Sequence, residues 1–294
     1  ISVFSWFTSS WSLSRPKSLR LWSQSTSSSL SLRELYPSAP ATDTGTLAVD
    51  DIHTLSYQVY GNPKGYKALF LHGGPGAGCF PNHARFFDLT QYQVILLDQR
   101  GCGKSTPSAC LVNQTLDHLV KDCELLRQQL QITQWDVVLG GSWGCTVAIA
   151  YAQQYPQSLR SMILRGICLL RPQEVDWLFA TPRGGPLWKA FQQAVALETT
   201  TYPREVLHEY YQRLVLGDND TERGEAARAW MQWEFYNSVA HQLPPDVNLS
   251  DSNATRQALQ SYERPKSTPV AVCQDACWTW RTASNELEAQ TPRH

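Results

Sequence analysis

Residues 140–144 read Gly-Gly-Ser-Trp-Gly, and this pentapeptide determines how the rest of the chain is interpreted. It follows the short apolar run Trp135–Leu139 and precedes a stretch of small residues from about Cys145 to Gln154. The first run predicts a buried strand and the second a helix. A Gly-x-Ser-x-Gly segment between a strand and a helix is typical of a sharp turn that exposes a nucleophilic serine. The sequence therefore predicts Ser142 as the catalytic nucleophile; the alternative is a glycine turn that only begins a helix.

Strand and helix patterns alternate on both sides of this turn. Apolar residues recur at helical spacing between Leu116 and Leu130, with Thr115 as the predicted N-cap. The runs Thr46–Val49 and Thr54–Tyr60 flank a turn and predict a β-hairpin. Three further short apolar runs predict strands: Lys67–Leu71, Gln93–Leu97 and Ser161–Leu164. This order predicts an α/β fold with a mainly parallel sheet and helices on both faces.

The organisation of the chain changes at both ends of this core. Residues 46–170 are predicted to form the N-terminal part of the α/β core, and residues 171–262 a helical cap, because Pro203–Leu216 and Glu222–Phe235 have helical patterns. Residues 1–45 are interpreted as a Ser-rich leader. Residues 263–294 are interpreted as an atypical tail, with the C-terminal strands and helices incomplete.

Composition excludes several classes of function. The formal net charge is −1, which argues against a nucleic-acid partner, and no apolar run is long enough to cross a membrane. The eight cysteines form no Cys-x-x-Cys pair, and no histidines accompany them at zinc spacing, so we expect reduced thiols and no metal or other cofactor.

The leader leaves the localisation open. It carries Arg15, Lys17, Arg20 and Arg33, many serines, and no acidic residue before Glu34. That composition suits a transit peptide for a plastid or mitochondrion, and it equally suits a disordered leader on a cytoplasmic protein.

A second glycine-rich segment lies directly after the predicted strand Lys67–Leu71. It reads His72-Gly73-Gly74-Pro75-Gly76. In hydrolases with a nucleophile turn of this kind, the backbone N–H of the residue after the serine and one from such a loop form the oxyanion hole. We expect these donors to be Trp143 and Gly74, with Gly73 the less favoured loop donor. His72 belongs to this loop and is not assigned as the general base.

These segments together resemble the proline iminopeptidases, serine peptidases of the α/β-hydrolase fold. The resemblance rests on residues 72–78 (His-Gly-Gly-Pro-Gly-Ala-Gly), 98–105 (Asp-Gln-Arg-Gly-Cys-Gly-Lys-Ser), 140–156 and 164–167 (Leu-Arg-Gly-Ile). It continues into the cap at 230–234 (Trp-Met-Gln-Trp-Glu). Within the second segment, Asp98 and Arg100 are expected to support the site rather than to catalyse.

The resemblance implies a substrate class and a binding site. The substrates are peptides with an N-terminal proline, cleaved through an acyl-enzyme on the serine. By the same resemblance Glu234 pairs with the protonated N-terminal amine, while Trp230 and Trp233 offer aromatic surface to the pyrrolidine ring.

The resemblance weakens after residue 262, where the family carries the acid and the histidine of its triad. The histidines that follow Ser142 are only His208, His241 and His294, and neither the Gly-Arg-x-Asp nor the Gly-His segment of the family occurs. Asp275 is the nearest substitute for the acid. We therefore expect little peptidase activity from these 294 residues. Two other interpretations stay open: a different α/β-hydrolase, such as an esterase or amidase, and a non-catalytic protein that keeps the fold.

Overall fold

The computed structural model describes residues 34–179, 186–195 and 203–239. Within them, six strands form one mixed sheet in the order β1-β2-β4-β3-β5-β6. The strands are β1 (Asp43–Ala48), β2 (Thr54–Gly61), β3 (Tyr66–Leu71), β4 (Tyr92–Leu97), β5 (Val137–Gly141) and β6 (Met162–Arg165). β1 and β2 form the predicted antiparallel hairpin, and β2 is antiparallel to β4. From β4 to β6 all pairs are parallel, so the mainly parallel α/β sheet is confirmed.

The parallel strands place their C-terminal ends side by side. Leu71 of β3 lies opposite Leu97 of β4 on one side and opposite Gly140 of β5 on the other, so β3 lies between β4 and β5. The segments that follow β3, β4 and β5 therefore meet at one edge of the sheet, where active sites of open parallel sheets are found. The strand β1 begins at Asp43, and the predicted boundary between leader and core at residue 46 consequently falls inside a strand.

Two helices cover one face of the sheet. They are α1 (Leu116–Gln129) and α2 (Trp143–Gln154), and they pack against Leu69 and Val138 in the larger hydrophobic core. Thr115 is the N-cap of α1, as predicted, because its Oγ1 accepts from the N–H of His118 at 3.4 Å. The other face carries a smaller core in which Phe70 and Leu96 pack against Ala84 of a short 3₁₀ helix, Pro81–Phe86.

The chain between β6 and the end of the described residues is helical. It forms α3 (Pro172–Phe179), α4 (Pro186–Gln193), α5 (Pro203–Tyr211) with a π-helical continuation (Gln212–Leu216), and α6 (Asp220–Val239). These helices include the stretches Pro203–Leu216 and Glu222–Phe235, for which the sequence predicts helices, while the assignment of residues 171–262 to a cap stays a prediction. Residues 240–262 lie outside the described residues. An aromatic cluster holds α4, α5 and α6 together: the Phe191 and Tyr210 rings stack at 4.3 Å, and Tyr210 meets Trp230 edge-on at 5.2 Å.

Two expectations from composition concern thiols and membrane spans. All six cysteines within the described residues are free thiols, while Cys273 and Cys277 lie outside that part of the chain. In the same described ranges, no helix combines the length and the apolar character that crossing a membrane requires.

Candidate active site

Ser142 occupies a strained turn between β5 and α2. Its backbone has φ 53° and ψ −119°, a combination that residues other than glycine rarely adopt. The N–H of Ser142 donates to the carbonyl oxygen of Arg165 at 2.8 Å, and the carbonyl of Ser142 accepts from the N–H of Cys145 at 2.9 Å. These bonds hold the turn while Ser142 itself stays exposed. Its hydroxyl thus lies at the C-terminal edge of the sheet, where the sequence predicts a nucleophile.

Close contacts require glycine at two positions of the turn, 140 and 144. A Cβ atom on Gly140 would collide with the carbonyl of Gly144, and a Cβ atom on Gly144 would collide with the carbonyl of Leu71. Gly141 differs, because a Cβ atom there would meet nothing within 4 Å. The tight approach of Gly144 to Leu71 brings the serine turn beside the loop that follows β3.

That loop, residues 72–79, contacts the serine directly. A Cβ atom built on Gly73 would lie 2.9 Å from Ser142 Cβ and 3.6 Å from its Oγ. Gly74 follows with φ 110° and is exposed. Its N–H donates to no acceptor among the described residues. Trp143 is the first residue of α2, with its side chain 3% exposed. The two predicted oxyanion donors, Gly74 and Trp143, thus belong to the two segments that meet at Ser142, and their role stays a prediction.

His72 is buried and both ring nitrogens are engaged. Its Nε2 accepts from the N–H of Gln99 at 3.0 Å, and its Nδ1 lies 2.9 Å from the carbonyl oxygen of Gly73. Burial lowers the pKa of the His72 imidazole, because the charged form loses its hydration. A neutral ring with two hydrogen-bonded nitrogens is not free to take a proton from Ser142, which agrees with leaving His72 out of the catalytic set.

Asp98 and Arg100 brace the loops, as expected from the sequence. Asp98 accepts from the N–H of Cys79 at 2.6 Å and from the N–H of Lys104 at 2.9 Å. Arg100 contacts Asp122 through two nitrogens at 2.6 and 2.7 Å. Both Asp98 and Arg100 are 2% exposed, so neither side chain reaches a substrate.

The aromatic residues proposed for substrate binding lie inside the cap. Trp230 and Trp233 are 1% and 2% exposed, and their rings lie 5.8 and 5.4 Å from that of Phe191. This packing is the arrangement of a helical core. A contact between either ring and a substrate stays a prediction. Glu234 follows Trp233 in α6, and its pairing with an amine likewise stays a prediction.

A general base for Ser142 is not found within the described residues. Ser142 Oγ hydrogen-bonds to no histidine in the ranges that the structure covers, and His208 is an exposed residue of α5. His241, His294 and Asp275 lie outside the described residues. In the same described ranges, no group of three or more His, Cys, Asp or Glu side chains is arranged to hold a metal ion.

Gln99 and Arg165 belong to the site although no sequence motif assigns either of them a role. Gln99 hydrogen-bonds twice to His72, and the carbonyl of Arg165 anchors Ser142. Gln99 lies two residues past the end of β4 and Arg165 ends β6, so both lie at the C-terminal ends of parallel strands. That position is the signal that identifies them, because the segments at such ends converge on one edge of the sheet.

Comparison with known proteins agrees with this geometry. The family model for the alpha/beta hydrolase fold matches residues 69–290. Curated relatives include a proline iminopeptidase of Arabidopsis thaliana, 40% identical over 79% of this chain and 60% of its own length. Another, from Xylella fastidiosa, is 42% identical over 76% of this chain and 70% of its own length. A probable proline iminopeptidase of Leptolyngbya boryana is 42% identical over 79% of this chain and 71% of its own length.

The match includes every segment that builds the serine turn and the adjoining loop, and it extends into the tail. The chain spans 60% of the Arabidopsis relative and 70 to 71% of the two bacterial ones. With a family model matched from residue 69 to residue 290 and identities of 40% and above in these relatives, this chain belongs to the proline iminopeptidase family of the alpha/beta hydrolase fold.

Proposed function

We propose that this chain is a serine aminopeptidase that releases proline from the N-terminus of peptides. Ser142 Oγ attacks the carbonyl carbon of the N-terminal proline and the C–N peptide bond breaks. The proton of the serine hydroxyl passes through the base to the leaving nitrogen, so the shortened peptide leaves as an amine. Water then attacks the prolyl ester on Ser142 and releases free proline. The N–H groups of Gly74 and Trp143 stabilise the oxyanion, and Glu234 binds the protonated amine of the substrate. The chemistry needs only protein groups.

One observation carries this proposal: the strained Ser142 turn lies against Gly73 in a chain of the proline iminopeptidase family. Asp275 is the candidate acid. The candidate bases are His208, His241 and His294, because the hydrogen bonds of His72 occupy both of its nitrogens. Slow proton transfer at Ser142 limits amide substrates more than esters with a good leaving group.

An activated aryl ester of proline is therefore the substrate that tests the proposal. We expect a Ser142-dependent burst of about one phenol per protein, followed by slow turnover, because deacylation also needs a base. The alanyl and phenylalanyl esters should react at least about tenfold more slowly if the site selects proline. Equal rates with all three esters would favour a general esterase, and a burst that survives Ser142→Ala would contradict the proposal.

A further inference from the structure

The peptide between Gly73 and Gly74 contains two groups with different tasks. Its N–H belongs to Gly74, the oxyanion donor proposed above, and its C=O belongs to Gly73. A planar trans peptide directs its N–H and its C=O to opposite sides. Any group that fixes the direction of the Gly73 carbonyl therefore also fixes the direction in which the Gly74 N–H points.

His72 contacts that carbonyl. Its Nδ1 lies 2.9 Å from Gly73 O, and its Nε2 lies 3.0 Å from the backbone nitrogen of Gln99. Because the backbone N–H of Gln99 can only donate, Nε2 is an acceptor and carries no proton. A neutral imidazole has one N–H, which must then be on Nδ1 and must point at Gly73 O. The N–H of Gly78 also lies within hydrogen-bond distance of Nδ1, at 3.3 Å, and would favour the opposite tautomer. We assign the proton to Nδ1 because that choice satisfies the two shorter contacts, to Gln99 N and Gly73 O.

Gln99 is held in place, so the tautomer is imposed from outside the loop. Its side-chain Nε2 donates to the carbonyl of His72 at 2.8 Å, and it is 4% exposed. The neighbouring Asp98 carboxylate accepts from Cys79 N–H at the far end of the loop. The segment after β4 thus holds residues 72–79 by hydrogen bonds, while Gly73 of the same loop lies against Ser142.

We propose that His72 is a positioning residue: its Nδ1–H, fixed by the backbone N–H of Gln99, holds the Gly73 carbonyl and so aims the Gly74 N–H at the oxyanion. One part of this inference rests on the proposed function, namely that the Gly74 N–H serves to stabilise an oxyanion. The tautomer and the bond to Gly73 do not depend on any substrate. His72 is thereby neither the base nor a passive core residue, although it never contacts the reacting atoms.

The tautomer is tested by nitrogen NMR of the 294-residue protein labelled in histidine. The account predicts a neutral His72 ring at about pH 7, with a protonated Nδ1 and an unprotonated Nε2. A proton on Nε2, or on both nitrogens, overturns it. This readout needs no catalytic activity, so a chain that hydrolyses no prolyl substrate still decides the inference.

Two substitutions separate positioning from general packing. The amide of His72→Asn can place a donor where Nδ1 was, whereas His72→Gln reaches the place of Nε2 and offers Gly73 nothing. Labelling glycine carbonyls and nitrogens isolates the Gly-Gly pairs, at 73–74, 140–141 and 184–185. The 73–74 signal should stay near its wild-type position in His72→Asn and shift in His72→Gln, with the 140–141 signal unmoved in both.

Acylation by the activated prolyl ester adds a functional comparison. Loss of one oxyanion donor lowers turnover by about 10²–10³-fold, so a misdirected donor should slow acylation about tenfold to hundredfold in His72→Gln. His72→Asn should recover most of that loss, with little change in the ester concentration that gives half the maximal rate. Equal acylation rates in both variants, together with an unmoved 73–74 signal in His72→Gln, would refute the positioning role.

Discussion

Arg100 and Asp122 form a two-bond ion pair in the interior, with Nε 2.6 Å from Oδ2 and Nη2 2.7 Å from Oδ1. Each side chain is 2% exposed. A further nitrogen of Arg100 lies 2.5 Å from a carboxylate oxygen of Asp50 in the hairpin turn between β1 and β2. The pair therefore ties α1 to the segment that follows β4, which is the segment that hydrogen-bonds to residues 72–79.

Removing the acidic partner should strongly destabilise the protein. In Asp122→Ala the partly exposed Asp50 is the one carboxylate that still contacts the buried guanidinium among the described residues, and breaking a buried pair costs about 3–5 kcal/mol. Because Asp50 compensates in part, we expect the free energy of unfolding, measured in urea, to fall by about 3 kcal/mol. The matched surface change is Arg160→Ala, since Arg160 is 68% exposed in its pair with Asp136 and should cost about 0–1 kcal/mol. Similar losses for the two variants would contradict a structural role for the buried pair.

The serine turn offers a steric test with an internal control. Gly144→Ala forces a Cβ atom against the carbonyl of Leu71, and overpacking of this kind costs about 1–3 kcal/mol. Gly141→Ala meets open space, so its free energy of unfolding should stay within about 1 kcal/mol of the wild type. Both are measured by denaturant unfolding. A more damaging substitution at Gly141 than at Gly144 would show that the turn is packed differently.

Acid should destabilise the protein through histidines whose pKa the fold lowers. Burial, with nearby His72 and Arg165, lowers the pKa of His83 from 6.5 to about 4. Between these two pKa values, the histidine binds a proton in the unfolded chain but not in the folded chain. The free energy of unfolding therefore falls as the pH drops below about 6.5, and it stops falling once the pH is below the pKa of His83 in the folded chain. Burial lowers the pKa of His72 in the same direction, partly opposed by the hydrogen bond to Gly73 and by Asp98.

The pH test compares His83 with a residue that cannot titrate. Between about pH 7 and about pH 5 we expect His83 to account for roughly 1–2 kcal/mol of lost stability, reduced by its partial exposure. The carboxyl of Glu124 does not titrate in this range. Burial raises its pKa, but its hydrogen bonds outweigh burial and lower the pKa to about 2. His83→Asn keeps an acceptor for the Phe80 N–H and should flatten the pH dependence. An unchanged slope in that variant would assign the acid sensitivity to other groups.

Glu234 should determine which substrates are accepted. If its carboxylate pairs with the substrate ammonium, Glu234→Gln should weaken acylation by the free-amine prolyl ester, at a cost of about 2–5 kcal/mol in the transition state. The N-acetylated ester should lose much less. Glu225→Gln is the matched control, because Glu225 is an exposed residue of the same helix, α6. Equal losses on free and blocked esters would assign Glu234 a structural role.

Local patterns in the sequence predict the elements around the serine well. The apolar run before Gly140 becomes β5, and α2 begins at Trp143, because a Gly-x-Ser-x-Gly turn fixes the places where the strand ends and the helix starts. Thr115 caps α1 because its hydroxyl satisfies a free N–H of the first turn. These features depend on neighbours within a few residues, which a single sequence displays.

Contacts between distant segments are less visible in the sequence. The hydrogen bonds of Gln99 to His72 depend on the pairing of β3 with β4, which no spacing along the chain specifies. Trp230 and Trp233 show the same limit, since an aromatic residue at helical spacing fits a core or a pocket equally well. Their ring contacts with Phe191 and Tyr210 assign them to the core of the cap.

The covalent adduct of Ser142 tests the central claim most directly. The 294-residue protein is mixed with an activated aryl ester of proline, and the adduct is located by mass spectrometry of peptides. The account predicts one prolyl group on Ser142, which accumulates because no base for deacylation lies beside Ser142 within the described residues. It predicts no adduct in Ser142→Ala and little with the N-acetylated ester. A prolyl group on another residue, or equal labelling of Ser142 by the free and blocked esters, would contradict the claim that Ser142 is the nucleophile of a prolyl aminopeptidase.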